Sequence, residues 1–338
     1  TGTQANDRAE CKGINRLLNG AAMPVVSLKS FFGHCMGAAG ILEASCGILA
    51  MRDGFIPPTV NYSTKRPGCD VDCVPNEPRE SDYDAFVSAN YAFGGNNAAT
   101  VLTRWDRKGT PARPVETPRI VITGGAAVTS LGHGVDATLE GVRKGTVGVG
   151  TVEALGLGEL KSNRAGLVPE FRASDVDRRL DFAGMNKISR MATAAAKYAL
   201  DSAGIRVGRR NAEDVGMAMG VCNGPPETDH MDSVFSTPNH LADIGCFSNV
   251  TANSTAGGVC TALCIKGVNA TLSPGPHAGL QAAAYAFNAL QERRARAVLV
   301  GAADEVYAQT YYNYDLMGFL FPAADEGDYR LRLDFEKQ

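Results

Sequence analysis

Residues 25–40 read Val-Val-Ser-Leu-Lys-Ser-Phe-Phe-Gly-His-Cys-Met-Gly-Ala-Ala-Gly. The pattern sets a buried strand (Val25, Val26, Leu28) directly against a tight, small-residue helix start (Gly33, Gly37, Ala38, Ala39, Gly40), with Lys29 and His34 at the junction. A helix beginning there turns its positive end towards Lys29 and His34, so negative charge developing beside them is stabilised. His34 is then the candidate proton or hydrogen-bond donor. The same histidine would also suit a structural position in a turn, and the stretch by itself leaves both readings open.

Two flanking motifs narrow the choice. Upstream stands Thr1-Gly2-Thr3-Gln4-Ala5-Asn6-Asp7-Arg8-Ala9-Glu10; downstream, Asn90-Tyr91-Ala92-Phe93-Gly94-Gly95-Asn96-Asn97 makes a glycine turn between two apolar strands. In order and spacing the three motifs resemble the C-terminal half of a β-ketoacyl synthase, and the Asn-Asp-Arg-x-Glu variant is more similar to ketosynthases of type II polyketide systems than to fatty-acid enzymes. The resemblance covers residues 1 to about 103. It implies a thiolase-like α/β fold in layers α-β-α-β-α. It also implies roles: His34 as a catalytic histidine, Lys29 fixing the histidine geometry in a pair with Glu10, and Phe93 gating the cysteine pocket and offering its backbone N–H to an oxyanion hole. Thr1 and Thr3 would hydrogen-bond a phosphopantetheine arm, with Gly94 and Gly95 lining the same substrate site. In the family a first catalytic histidine precedes the position of Thr1, so that histidine is expected from outside this chain.

Composition fits such a protein. The 338 residues are 44% apolar and 7% aromatic with a net charge of −3, which describes globular material of one large or two medium domains. Basic residues are scattered, and the groups at Arg206–Arg210 and Arg293–Arg296 fall at predicted helix ends, where they offset the helix dipole; no nucleic-acid partner is expected. No run of eighteen apolar residues and no signal peptide stand out, so the expected location is cytoplasmic with no membrane span. Nine cysteines, an odd number spread along the chain, point to reduced thiols. Cys69/Cys73 and Cys260/Cys264 each lack the second pair or histidine that a zinc site needs, so no metal is expected.

A polar stretch with three prolines, residues 106–118, reads as a linker between residues 1–105 and a second domain over 119–338. Arg119–Thr123 reads as a short strand, and Thr129–Gly132 as the next turn. Ile188, Met191, Ala192, Ala195, Tyr198 and Ala199 form one helix face that Gly204 can cap, before a strand at Val215–Gly220. Leu280, Ala283, Ala284, Phe287 and Leu290 form another, leading into a strand at Ala297–Val300. This part resembles the N-terminal half of a ketosynthase. The order, second half of one domain and then first half of another, implies two fused ketosynthase-like subunits of which this chain is the middle, two partial domains completed by other segments.

The second domain departs from the family where it matters most. Ketosynthases carry their nucleophilic cysteine at a buried helix start, where the dipole favours thiolate. The matching residue here is Pro276, which has neither a thiol nor an N–H for an oxyanion hole. The loss resembles the chain-length factor, the non-acylated partner of type II ketosynthases, although that family more often has glutamine at this position. By the same resemblance Thr228, Met231, Phe235 and Ser248 would line the growing-chain tunnel, with Phe235 as its main stop and a long or reduced polyene-type chain as the product. The implied reaction is decarboxylative Claisen condensation of malonyl and acyl groups, each carried on the 4′-phosphopantetheine of an acyl carrier protein, inside a pseudo-twofold ketosynthase dimer, with no cofactor bound to this chain. Two other readings stand beside it: a structural pseudo-ketosynthase, and a hydrolase using the amine and hydroxyl of Thr1.

Overall fold

The computed structural model describes residues 3–35, 38–91, 97–104, 118–144, 146–152, 160–223, 248–318 and 320. They fall into two compact units, one up to residue 104 and one from residue 118.

The first unit begins with helix α1 (Gln4–Leu18), which ends at Asn19 in the left-handed region, its N–H bonded to the Asn15 carbonyl. Next come a four-residue helix α2 (Lys29–Phe32) and a longer helix α3 (Ala39–Asp53). Two short strands, β1 (Phe55–Ile56) and β2 (Arg79–Glu80), pair antiparallel, and β3 (Ala85–Tyr91) forms a seven-residue antiparallel ladder with β4 (Asn97–Thr103). Helix α3 lies along β3: a Cβ on Gly47 would sit 2.5 Å from the Phe86 ring, and one on Gly40 would sit 3.2 Å from the Asn90 side chain. Ala39, Ala50 and Met51 are buried, while Ile41, Leu42, Ile48 and Leu49 face outwards.

The strand expected at Val25–Leu28 does not form. The segment makes one bridge, Pro24 to Asp72, with the Val25 N–H donating to the Asp72 carbonyl at 2.8 Å. Pro24 has no N–H, and Ser27 bonds the Thr59 hydroxyl rather than a neighbouring backbone, so no ladder can propagate.

The second unit opens with a hairpin of β5 (Val128–Thr129) and β6 (Gly132–His133), followed by α4 (Val135–Arg143). A second short pair, β7 (Gly150–Thr151) and β8 (Arg164–Ala165), precedes the single-turn helix α5 (Ala173–Val176) and α6 (Lys187–Ser202). Helix α6 is capped by the Asn186 side chain, which accepts from the Ser189 N–H, and Gly204 beyond its end has φ +66°. Strand β9 (Val215–Gly220), α7 (Ser254–Leu263), β10 (Asn269–Leu272), α8 (Ala278–Gln291), β11 (Ala297–Ala302) and α9 (Ala308–Leu316) complete the unit. The three strands make a parallel sheet in the order β10-β9-β11.

Strand β9 is buried along its whole length, as the centre of a parallel sheet must be. Its two faces differ. Val215, Met217 and Met219 pack with Ile188, Met191 and Ala192 of α6 and Val259 and Cys260 of α7 in the main core. The alternate residues are small, and Ala218 meets Ala282 and Ala286 of α8. The buried residues of α8 are all alanine, Ala278, Ala282, Ala286 and Ala289, with Tyr285 packed partly buried beside them. The larger apolar face read from the sequence is on the other side, with Leu280 78% and Phe287 48% exposed. Close helix-to-sheet approach selects small residues, so the face with more hydrophobic bulk is not the one the described sheet covers.

Arg119–Thr123 is likewise not a strand, and Val121 and Ile122 are exposed. A strand exists only through a paired neighbour, and none of the described strands runs beside it. The adjacent Gly124 is held against the end of α6, where a Cβ would come within 2.6 Å of the Ala203 nitrogen.

Candidate active site

In the first unit the chemistry-bearing residues gather between α2 and α3. Lys29 is the first residue of α2, and the Ser30 hydroxyl donates back to the Ser27 carbonyl at 2.9 Å while accepting from the Val60 N–H at 3.1 Å. The helix stops after one turn because Gly33, with φ +75°, redirects the chain, and its N–H closes on the Lys29 carbonyl at 2.8 Å. His34 follows immediately on the surface, with α3 starting five residues later. The Asn90 end of β3 lies at this start.

The partner of Lys29 differs from the expectation. Its Nζ lies 2.5 Å from Oε1 of Glu43, in the second turn of α3, and both side chains are largely buried. Glu10 instead accepts from the Asn6 side chain at 3.4 Å on its own helix. A lysine at the start of one helix and a carboxylate inside the next form a strap between α2 and α3, on either side of His34 in sequence. Glu43 is the one charged residue between His34 and Arg52, in an otherwise apolar and small-residue run, and that isolation was the signal in the sequence that could have found it.

Of the other expected site residues, Thr3 is the exposed N-cap of α1. Thr1, Phe93, Gly94 and Gly95 lie outside the described residues.

In the second unit β10 passes through Ser273–His277 into α8. Gly275 turns the chain at φ +105°, and the Ala278 N–H bonds the Gly275 carbonyl at 3.0 Å. This is the strand–turn–helix geometry that presents a nucleophile at a helix start. Pro276 sits in that turn, before the N-cap residue His277 and not within the first helical turn, and both are exposed. The helix start is pressed between the ends of two strands: a Cβ on Gly220 would fall 2.4 Å from the Ala278 carbonyl carbon, and one on Gly279 would be 3.0 Å from the Ala302 Cβ. Beyond Gly220, the Asp304 carboxylate accepts from the Cys222 and Asn223 N–H groups at 3.1 and 2.7 Å, fixing the path of the chain past the sheet. Sequence reading passed over Asp304; its Asp-Glu pair just after a strand was the available cue, and Glu305 accepts from the Ile188 N–H at the start of α6. Of the expected tunnel residues, Ser248 is exposed in a short turn before α7, while Thr228, Met231 and Phe235 lie outside the described residues.

Cys260, in α7, is buried and its thiol is pushed up to about 11 by desolvation, which makes it inert packing and no substitute nucleophile. Among the described residues no group of three or more histidines, cysteines or carboxylates could hold a metal ion. No helix among them is long and apolar enough to cross a membrane.

Residues 117–327 match the family model of the beta-ketoacyl synthase N-terminal domain, and residues 1–63 match that of the beta-ketoacyl synthase C-terminal domain. The chain belongs to the β-ketoacyl synthase family. Within that family it is 45% identical over 106 residues to the tetracenomycin polyketide synthase ketoacyl synthase alpha subunit of Streptomyces glaucescens, a match covering 31% of this chain and 25% of that protein. It is 43% identical, also over 106 residues, to 3-oxoacyl-[acyl-carrier-protein] synthase 2 of Coxiella burnetii, covering 31% and 26%. The chain thus spans about a quarter of the length of these curated relatives. Among solved structures, the PfaC keto synthase-chain length factor aligns with a TM-score of 0.68 over 90% of this chain and 38% of that one, at 17% identity. The ishigamide ketosynthase/chain length factor aligns with a TM-score of 0.54 over 60% and 51%, at 20% identity. These are likenesses of fold, and the fold is the thiolase-like α/β architecture of the family.

Proposed function

We propose that this chain is part of a condensing enzyme that elongates a polyketide or polyene chain, its first unit belonging to an active ketosynthase domain and its second to a non-acylated, chain-length-controlling partner. The observation that carries the reading is the order of the two family matches, C-terminal half before N-terminal half, together with a proline at the strand–turn–helix position where the second domain would need its nucleophile. The apolar outer faces of α3 and α8 support it, since each helix has one side on its sheet and a second that calls for another layer of protein.

In this reading residues 1–105 and 119–338 are partial domains completed by other segments, which supply the acylated cysteine and a second histidine. An acyl carrier protein delivers acyl and malonyl groups on its phosphopantetheine arm, which Thr1 and Thr3 contact, and Phe93 with Gly94 and Gly95 forms the gate over the cysteine. As carbon dioxide leaves the malonyl group, His34 donates a hydrogen bond to the enolate oxygen, and the resulting carbanion attacks the acyl thioester. The Lys29–Glu43 strap keeps the segment bearing His34 in register for that contact. Thr228, Met231, Phe235 and Ser248 border the tunnel that receives the product.

The test is His34→Ala in the complete enzyme. Decarboxylation and elongation should fall by about 100-fold or more, while acyl loading on the partner cysteine persists, because only the former develop charge at this side chain. Loss of loading with decarboxylation intact would overturn the assignment.

A further inference from the structure

One face of α1 is covered by residues 65–73. Arg66 pairs with Asp7, Arg8 Nε donates to the Pro67 carbonyl at 3.1 Å, and Asn15 Nδ2 donates to the Asp70 carbonyl at 3.0 Å. A Cβ on Gly68 would lie 3.7 Å from the Arg8 side chain, so the loop sits against the helix. Between these contacts Cys11, flanked by Arg8 and Asn15, faces Cys69, flanked by Pro67 and Asp70, and the two thiols are near enough to interact, Cys11 buried and Cys69 half-buried, both reduced. Cys73, the near neighbour of Cys69 in sequence, lies beside the Tyr62 side chain.

We infer that Cys11 and Cys69 form an oxidation site, a thiol pair that closes to a disulfide and cross-links α1 to the 65–73 loop. The two thiols face each other across an interface held on both sides of them, so closure moves the two side chains and leaves the helix and loop where they are, bringing the sulfurs to about 2.05 Å. The oxidant is a small-molecule disulfide such as oxidised glutathione. The Cys69 thiolate attacks one of its sulfurs, forming a mixed disulfide and expelling one glutathione thiolate. Cys11 then loses its proton to that thiolate or to solvent, its sulfur attacks the Cys69 sulfur, and the second glutathione leaves. Two protein thiols give up two protons and two electrons, and one glutathione disulfide becomes two thiols. Cys69 reacts first because it is the accessible one, whereas burial, the Cys69 thiol and the nearby Glu10 and Asp7 carboxylates push Cys11 up to about 11.

The ring closed by this bond would enclose Lys29, His34 and Glu43, and the loop it anchors holds the Val25 N–H through the Asp72 carbonyl, just ahead of Lys29. The inference does not depend on the proposed reaction, because its readout is covalent.

The complete polypeptide is incubated folded with oxidised glutathione, free thiols are alkylated, and the protein is digested without reduction. A Cys11–Cys69 linked peptide should appear in more than half of the molecules, two hydrogens lighter than its components and cleaved by dithiothreitol. Cys73→Ser should leave it unchanged, and Cys69→Ser should leave Cys11 unmodified. A Cys69–Cys73 link, glutathione adducts without any cross-link, or a Cys11–Cys69 link formed only after urea unfolding would each overturn the inference.

Discussion

The seat of α8 on the sheet can be tested with one methyl group. Gly220 ends β9, and a Cβ there would lie 2.4 Å from the Ala278 carbonyl carbon, 2.5 Å from the Gly279 nitrogen and 2.6 Å from the Ala278 oxygen. All three are backbone atoms of the first turn of α8, so no rotamer change relieves the clash; the helix start must retreat by about 1 Å to restore van der Waals contact. Gly220 has no positive φ, so alanine adds no backbone strain to confuse the result. Gly220→Ala should therefore destabilise the second unit by about 3 kcal/mol, the upper end of ordinary overpacking. For a unit of this size that corresponds to a melting point lower by about 6–12 °C. Gly301→Ala is the control: its nearest neighbours are the Met219 sulfur at 3.6 Å and the Met217 methyl at 3.8 Å, both adjustable, and its effect should stay within about 0.5 kcal/mol. Calorimetric melts of the complete polypeptide decide the matter. A Gly220→Ala protein melting within 2 °C (about 0.5 kcal/mol) of the parent would refute the argument from close approach.

Two further outcomes follow from the ion pairs. Glu43→Gln should cost about 2 kcal/mol, since it strands the largely buried Lys29 ammonium, whereas Glu10→Gln should stay within about 0.5 kcal/mol; equal effects in thermal melts would restore Glu10 as the partner. Asp177 accepts from the Arg179 guanidinium and backbone N–H and faces Lys197 at 3.3 Å, which together hold its carboxyl far below the usual range. A depressed carboxylate stabilises the fold fully above its unfolded value and loses that contribution as pH falls through the folded one. Asp177→Asn should thus lower the melting point by a constant amount from pH 8 to about pH 5, with the gap to the parent closing only below about pH 4; a gap that widens on acidification would contradict the sign.

Much of the architecture was legible because it depends on local periodicity. The runs around Ile188–Leu200 and Val215–Gly220 carry their own pattern, and their elements formed as read. What was misread depends on something outside the segment. Arg119–Thr123 has strand composition but no strand beside it among the described residues, and Val25–Leu28 follows Pro24, which lacks the N–H a ladder needs. Leu280 and Phe287 outweigh alanine on any hydrophobicity count, yet the side of α8 buried on the sheet is its alanine stripe. The Lys29 partner was missed for a similar reason: Glu10 belongs to a recognisable motif, while Glu43 becomes a neighbour only once α2 and α3 have packed together.

The attachment of α8 rests on Gly220 and on four alanines, and residue 276 contributes to none of those contacts. Folding and chemistry therefore draw on separate positions in the same few residues. In the function proposed above, the second unit can lack a nucleophile without weakening its own core, because the turn before the helix is exposed and tolerates proline. On that proposal the loss of chemistry at residue 276 brings no cost in stability, and what remains under constraint is the seat of the helix and the surfaces around it.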